Sequence, residues 1–318
     1  MGNISYASAD PRFGRKFTIV SLIILSLVVF LSTYVHHFKP EILSVPSNTD
    51  VSTWKMTPFE KTWIYDRMND TEREKVRKEG VPGTDFLTML IYEVLAFFGA
   101  WLCFSHARKH YSLWMATAFL IGSFVFTGIQ ETLMILSGRF WMGGGLVDPN
   151  VWGSYWFPQG IFWFLETPVW VCLCWFLIAY SCVTVAGKVF PRMGLGWRAL
   201  TGGLIAMVID LWEDPVLTSP EFMKWIWAKG DNVGILGIPH GNFIGWFFLI
   251  FVFAILWERY LPRFEKRWGG WTGMVAFLLL LLCANIAILT ILITWGSIAN
   301  SLFPLPAGLH IPPQSWGW

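Results

Sequence analysis

Polar and hydrophobic positions divide the chain into seven long apolar stretches separated mostly by short polar loops. They lie at approximately 17–35, 86–105, 112–137, 160–186, 197–215, 242–258 and 272–296. An apolar layer about 30 Å thick takes roughly 20 helical residues to cross, so each stretch is of spanning length. The fifth is the least apolar, because it ends in Asp210, Glu213 and Asp214. The pattern predicts an all-α, polytopic transmembrane helix bundle of about seven spans, a single domain over residues 1–318 with no internal repeat. The first run is longer than a signal-peptide core and no small-residue cleavage site follows it, so it is expected to remain as a span.

The long interruption at 36–85 has helix signals of its own. Thr57-Pro58-Phe59-Glu60 shows capping-box spacing with Pro in the first turn. Asp70 to Gly80 mixes charges at helical spacing and ends in a glycine stop. Short surface helices are expected there, with a docking surface for another subunit as the other reading. Basic residues orient the bundle. They cluster at Arg12–Lys16, Arg108-Lys109, Lys188–Arg198 and Arg259–Arg267, whereas the short loops on the other side hold only Arg139, Lys224 and Lys229. The N-terminus is therefore expected in the cytoplasm, with the C-terminus and the 36–85 loop extracytoplasmic.

Composition supports an integral membrane protein. Charged residues make up 14%, against about 25% in a soluble domain. The 21 Trp and 27 Phe suit membrane packing and interfacial belts, where an indole keeps one end wet. A net charge of +2, with no basic region apart from the spans, offers nothing to nucleic acid; membrane lipid is the expected surroundings. The five cysteines lie in apolar stretches without CxxC spacing and read as small buried hydrophobes. His106 and His110 stand four apart, but a membrane di-iron site needs more ligands than six scattered histidines supply. No metal or other cofactor is predicted.

Acids inside spans cost about 2.5–3.5 kcal/mol each on insertion scales and demand a reason. With this topology Glu93, Glu131, Glu166 and the Asp210/Glu213/Asp214 group all fall roughly 3–11 Å below the extracytoplasmic edge, at 1.5 Å per residue. Asp210 and Asp214 are i and i+4 and share a helix face, flanked by Glu213. Like charges so placed away from water cannot all ionise, and a neutral acid beside an ionised one is the equipment of general acid–base work. The structural alternative is that these acids cap helix ends or pair with Arg139 and Lys224. Just beyond, Trp225, Trp227, Gly230, Gly234, Gly237, Pro239, His240 and Gly241 crowd a loop that can fold back under protein cover. Asn242 either caps the sixth span or aims its amide into a cavity, and Gly245 permits close approach.

These residues resemble the membrane carotenoid-biosynthesis family that includes the carotenoid 1,2-hydratases acting on γ-carotene or bisanhydrobacterioruberin. The block Gly237-Ile-Pro239-His-Gly-Asn242-Phe243-Ile-Gly245-Trp246 matches the family's Gly-x-Pro-x-x-Asn-Phe-x-Gly-Trp. Asp210-Leu-Trp-Glu-Asp214-Pro215-Val216, Trp225 with Trp227, Glu131 with Gly138, and Pro168 with Trp175 match further patterns over roughly 125–260. Two departures stand out: Asp214 replaces the usual Glu before Pro, and Arg139-Phe140-Trp141-Met142 with three glycines stands where the family has Phe-Gly-x-Tyr-x-Tyr.

The resemblance implies water addition to a terminal 1,2 double bond of an acyclic carotenoid, through a tertiary cation and without a redox cofactor. Asp210, Asp214, Glu131, Glu166 and Asn242 are the expected catalytic residues. Trp212, Glu213, Pro239, His240, Phe243, Gly245, Trp246, Trp225 and Trp227 are the expected substrate-binding ones. The implied location is a bacterial cytoplasmic or photosynthetic intracytoplasmic membrane. The alternative is a non-catalytic carotenoid-binding or assembly subunit of a larger membrane complex, with other membrane-protein subunits as partners. A proton-coupled transporter is a third reading, opposed by the lack of a repeated half.

Overall fold

The computed structural model describes residues 11–39, 60, 62–140, 155–227, 234–236, 238–302 and 310–311. They form an all-α polytopic bundle in which seven helices are long and apolar enough to cross a membrane. Helix α1 (Pro11–Phe38) is followed by two short helices, α2 (Trp63–Arg67) and α3 (Asp70–Glu79), and then by α4 (Phe86–His110) and α5 (Leu113–Phe140). Next come β1 (Tyr155–Trp156), β2 (Trp163–Phe164), β3 (Thr167–Pro168), α6 (Val169–Val189), α7 (Leu195–Leu217) and β4 (Ile226–Trp227). The chain continues through β5 (Gly234–Ile235), β6 (Ile238–Pro239), α8 (His240–Ile255), α9 (Leu261–Trp268), α10 (Gly270–Leu302) and β7 (His310–Ile311). A π-helical turn, Leu256–Tyr260, joins α8 to α9, and Pro262 in the first turn of α9 withholds an N–H from the ladder there.

Helices α5 and α6 are the most buried and α1 lies at the periphery. Apolar side chains such as Leu95, Phe98 and Trp101 point outward, as a lipid-facing surface requires. Polar side chains inside α5 turn back on their own helix. Ser123, Thr127 and Thr132 donate to the carbonyls of Phe119, Ser123 and Gly128 at 2.8–2.9 Å, so their hydroxyls are satisfied without water. Helices α7 and α8 approach closely at Gly203, where a Cβ would lie 2.8 Å from both the ring and the carbonyl oxygen of Phe247.

The segment expected as short surface helices forms α2 and α3. Asn69 and Glu72 make a reciprocal capping box, and α3 stops at Gly80, whose φ of 81° suits glycine. Arg67, at the end of α2, donates to the carbonyls of Pro215 (2.8 Å) and Thr218 (3.3 Å). It thereby satisfies carbonyls that the end of α7 leaves without helical partners. The capping spacing at Thr57–Glu60 and the Trp141–Gly145 stretch lie outside the described residues, Glu60 excepted. So do Gly230 and Gly237.

The structure holds an internal repeat, contrary to the sequence expectation. Helix α5, β1, the β2–β3 hairpin and α6 recur as α7, β4, the β5–β6 hairpin and α8. Both hairpins turn on a leucine in the left-handed region, Leu165 (φ 54°) and Leu236 (φ 55°). Their registers correspond: Trp163↔Pro168 and Phe164↔Thr167 in one, Gly234↔Pro239 and Ile235↔Ile238 in the other. Pro168 and Pro239 each open the following helix with extended backbone. One constant offset in sequence separates Leu165 from Leu236, Pro168 from Pro239, Trp175 from Trp246 and Trp156 from Trp227. Strands β1 and β4 pair with each other antiparallel, Tyr155 opposite Trp227 and Trp156 opposite Ile226, and the Trp175 and Trp246 rings meet at 4.3 Å. These are the contacts expected on a local twofold axis. Side-chain identity is kept at few positions of the repeat, so the sequence alone does not display it.

Candidate functional site

The two repeats face each other across two small cavities at one end of the bundle. One, of about 40 Å³, is lined by Trp170, Val171, Cys174, Trp175 and Ile178 of α6, Glu213 and Asp214 of α7, Glu131, Tyr155, Phe157, Trp225, Trp227, Asn242 and Trp246. The other, of about 30 Å³, lies against α5 and α8, with Gln130, Glu131, Met134, Tyr155 and Trp175 on one side and Gly241, Asn242, Gly245, Trp246, Leu249 and Leu292 on the other. The repeat offset converts each α6 wall residue into an α8 one: Trp170 into Gly241, Val171 into Asn242, Cys174 into Gly245, Trp175 into Trp246 and Ile178 into Leu249. Where one repeat presents Val171, the other presents an amide, so the pair of cavities has one polar pole.

That amide organises the site. Asn242, in the first turn of α8, reaches across to α7, where its Nδ2 donates to Asp214 Oδ2 at 2.7 Å. It also lies 3.0 and 3.1 Å from the two carboxylate oxygens of Asp210. Asp210 and Asp214 are one helical turn apart and both fully buried. Among the described residues no lysine, arginine or histidine lines either cavity, so there the carboxyls have a shared hydrogen-bond donor and no counter-charge. At low effective dielectric two like charges this close repel by several kcal/mol (about 4 at 4 Å even with a dielectric constant of 20).

Glu131 of α5 supplies the third acid. Its two oxygens accept from the Tyr155 hydroxyl and from Trp175 Nε1, the latter at 2.7 Å, which fixes the carboxyl between the two repeats. Burial, and secondarily the neighbouring Glu131, hold the Tyr155 phenol protonated well above its ordinary range, so it is a permanent donor. Glu213 lines the larger cavity at its half-buried rim. Among the described residues no three His, Cys, Asp or Glu side chains gather as a metal site would require.

The structure thus brings together Asp210, Asp214, Glu131, Asn242, Glu213, Trp225, Trp227, Trp246 and Gly245. It does not bring in the rest. Glu166 is not inside a span: α6 begins at Val169, and Glu166 sits half-buried in the β2–β3 turn with its backbone N–H 3.4 Å from Thr132 Oγ1. Trp212 is 64% exposed and lines a separate surface hollow with Arg67 and Glu221, because two residues on from Asp210 is the far side of a helix. Phe243 is core packing beside Asn242, and Pro239 opens α8. His240 turns its ring toward Trp295, 6.2 Å away. Glu93 does not share the acid site but accepts the Phe162 backbone N–H at 3.1 Å. Cys283 is exposed rather than buried.

Comparison with protein-family models, with curated proteins and with solved structures finds no match to this chain. The site therefore has to be read from its own chemistry.

Sequence reading missed Tyr155, Trp170, Phe157 and Gln130. The first and third lie in Tyr155-Trp156-Phe157, an uninterrupted aromatic triplet between spans; that was the available signal. Gln130, next to Glu131 in an otherwise apolar helix, was a second.

Proposed function

We propose that the protein is a carotenoid hydratase that adds water to a terminal 1,2 double bond of an acyclic carotenoid by proton transfer from a buried carboxyl pair. The carrying observation is Asn242 Nδ2 shared between Asp210 and Asp214, with Asn242 and Asp214 lining an aromatic cavity that no cation lines among the described residues. A pair so arranged holds one proton between two carboxyls, as like charges in one dry site do. That proton passes to the less substituted alkene carbon, and the π electrons form the new C–H bond, leaving a tertiary cation. A water oxygen then bonds the cationic carbon, and the water's surplus proton passes to Glu131. The proton returns to Asp210–Asp214 through the larger cavity, which Glu131 and Asp214 both line. The sum is one water added, with no change of oxidation state.

The walls suit a cation. Trp170, Trp175, Trp225, Trp227 and Trp246 surround the cavity, and a desolvated aromatic face stabilises a cation by about 2 kcal/mol or more. At about 40 Å³ the cavity holds water; a branched hydrocarbon end requires the half-buried rim side chains Cys174, Ile178 and Glu213 to part. The family resemblance supports the reading. The distribution of basic residues supports an extracytoplasmic location for this centre.

The test is co-expression in a host that makes an acyclic carotenoid, with mass analysis for gained water. Wild type is expected to yield the hydrated carotenoid, and Asp210→Asn or Asp214→Asn to abolish it in folded protein. Unchanged yield in both variants refutes the assignment. One observation favours the second reading, a carotenoid-binding or assembly subunit. A separate cavity of about 560 Å³, apolar apart from a few hydroxyls, lies between α1, α4, α5 and α6 and has room for a hydrocarbon chain. Under that reading carotenoid co-purifies without gaining water.

A further inference from the structure

The cavity against α5 and α8 contains a side chain that the dry bundle leaves unsatisfied. Gln130 is 2% exposed, and among the described residues neither its Nε2 nor its Oε1 has a hydrogen-bond partner. Its neighbours on α5 show that this is not the helix's habit, since Ser123, Thr127 and Thr132 all bond back to α5 carbonyls. A buried amide lacking partners on both ends is costly, and native structures meet such groups with ordered water. The room is present: the cavity measures about 30 Å³, and one water needs roughly 10–15 Å³ of such space. Asn242 faces Gln130 across it, and Glu131 lines the same wall as Gln130. Asn242 spends its N–H groups on the two aspartates, which leaves its Oδ1 as the acceptor it can offer.

Gln130 and Glu131 of α5 line this cavity and Glu213 and Asp214 of α7 line the other, Glu131 reaching both. Each pair precedes its own strand and hairpin, although the two pairs do not share the repeat's constant offset. One cavity is built around the aspartate side and the other around an amide. The walls they share, Glu131, Tyr155, Trp175, Asn242 and Trp246, put the second within one side chain of the first.

We propose that the cavity between α5 and α8 is a water-binding site in which Gln130 and the Asn242 amide oxygen hold one water beside Glu131, and that this is the water added to the substrate. Gln130 donates through Nε2 to the water oxygen. Water O–H donates to Asn242 Oδ1 and to Glu131, which takes the proton as the oxygen bonds the cationic carbon. The second half of the proposal rests on the hydratase reading; the first half does not.

Two measurements separate them. A density map of the purified wild-type protein fine enough to show ordered solvent is expected to place a water within hydrogen-bond distance of the Gln130 side chain. A dry cavity, or Gln130 bonded to protein, overturns the site. In the carotenoid-producing host, Gln130→Leu is expected to lower hydrated product about a hundredfold, the scale on which misplacement of a reactant slows a reaction. Carotenoid bound to the purified variant is expected to be unchanged, and Gln130→Asn, which keeps an amide N–H donor on a shorter side chain, to recover part of the yield. Full hydration by Gln130→Leu overturns the role of the water. If wild type itself hydrates nothing, the reaction assignment falls, while the density map still decides the site.

Discussion

At the scale of single residues, the site is a problem of satisfying buried polar atoms with few donors. Among the described residues, Asn242 Nδ2 is the amide donor that Asp210 and Asp214 share. Asn242→Leu strands two buried carboxyls, and a group left unsatisfied costs about 1–3 kcal/mol. Thermal unfolding in detergent should fall accordingly, whereas Val171→Leu at the matching position of the other repeat should leave it nearly unchanged. Lys224 poses the converse problem. It is buried, donates to Gln159 Oε1 at 2.7 Å and lies 3.7 Å from the Tyr92 ring centroid. Burial pushes its amine down from 10.5 to about 8, with Asp85 opposing. Because the unfolded chain binds this proton more tightly, stability should rise as pH climbs from about 8 to about 10.5, and the deficit is full below 8. Unfolding measured across that range should show the slope in wild type and lose it in Lys224→Met.

At the scale of elements, the question is what holds the end of α7 in place. Arg67 ties α2 to the Pro215 and Thr218 carbonyls, one turn from Asp214. Arg67→Leu should therefore lower stability by about 1–3 kcal/mol and lower hydrated product as well, with carotenoid binding through the apolar cavity retained. Close packing of α7 on α8 gives a graded check. Gly203→Ala places a Cβ 2.8 Å from Phe247, and Gly202→Ala places one 3.5 Å from Ile250. Only the first should lower the yield of folded protein. The spans were legible because lipid imposes length and apolarity on each. The Glu166 environment was not, because the apolar run from Ile161 to Pro168 reads like helix. It is in fact a buried hairpin whose backbone is met by Ser32, Thr33 and His36 of α1, partners remote in sequence.

At the scale of the whole molecule, two copies of a helix–strand–hairpin–helix unit enclose the site. Asp210, Asp214 and Asn242 were legible in sequence because helical spacing and a motif marked them. The repeat was not, because what it keeps is backbone: two left-handed leucines, two prolines opening helices and two tryptophans on the axis. With the repeat present, the argument against a transporter from lack of symmetry lapses. What opposes that reading is that the site acids lie at one end of the bundle and, among the described residues, no chain of carboxyls leads toward the other. Under the hydratase reading, Asp210 and Asp214 deliver a solvent-derived proton to a carotenoid carbon. The direct measurement is mass analysis of carotenoid formed by purified protein in deuterium oxide labelled with heavy oxygen. The account predicts a product carrying one carbon-bound deuterium and one labelled hydroxyl, lost in Asp210→Asn and Asp214→Asn. Unlabelled carotenoid from wild type, or label persisting in both variants, contradicts it.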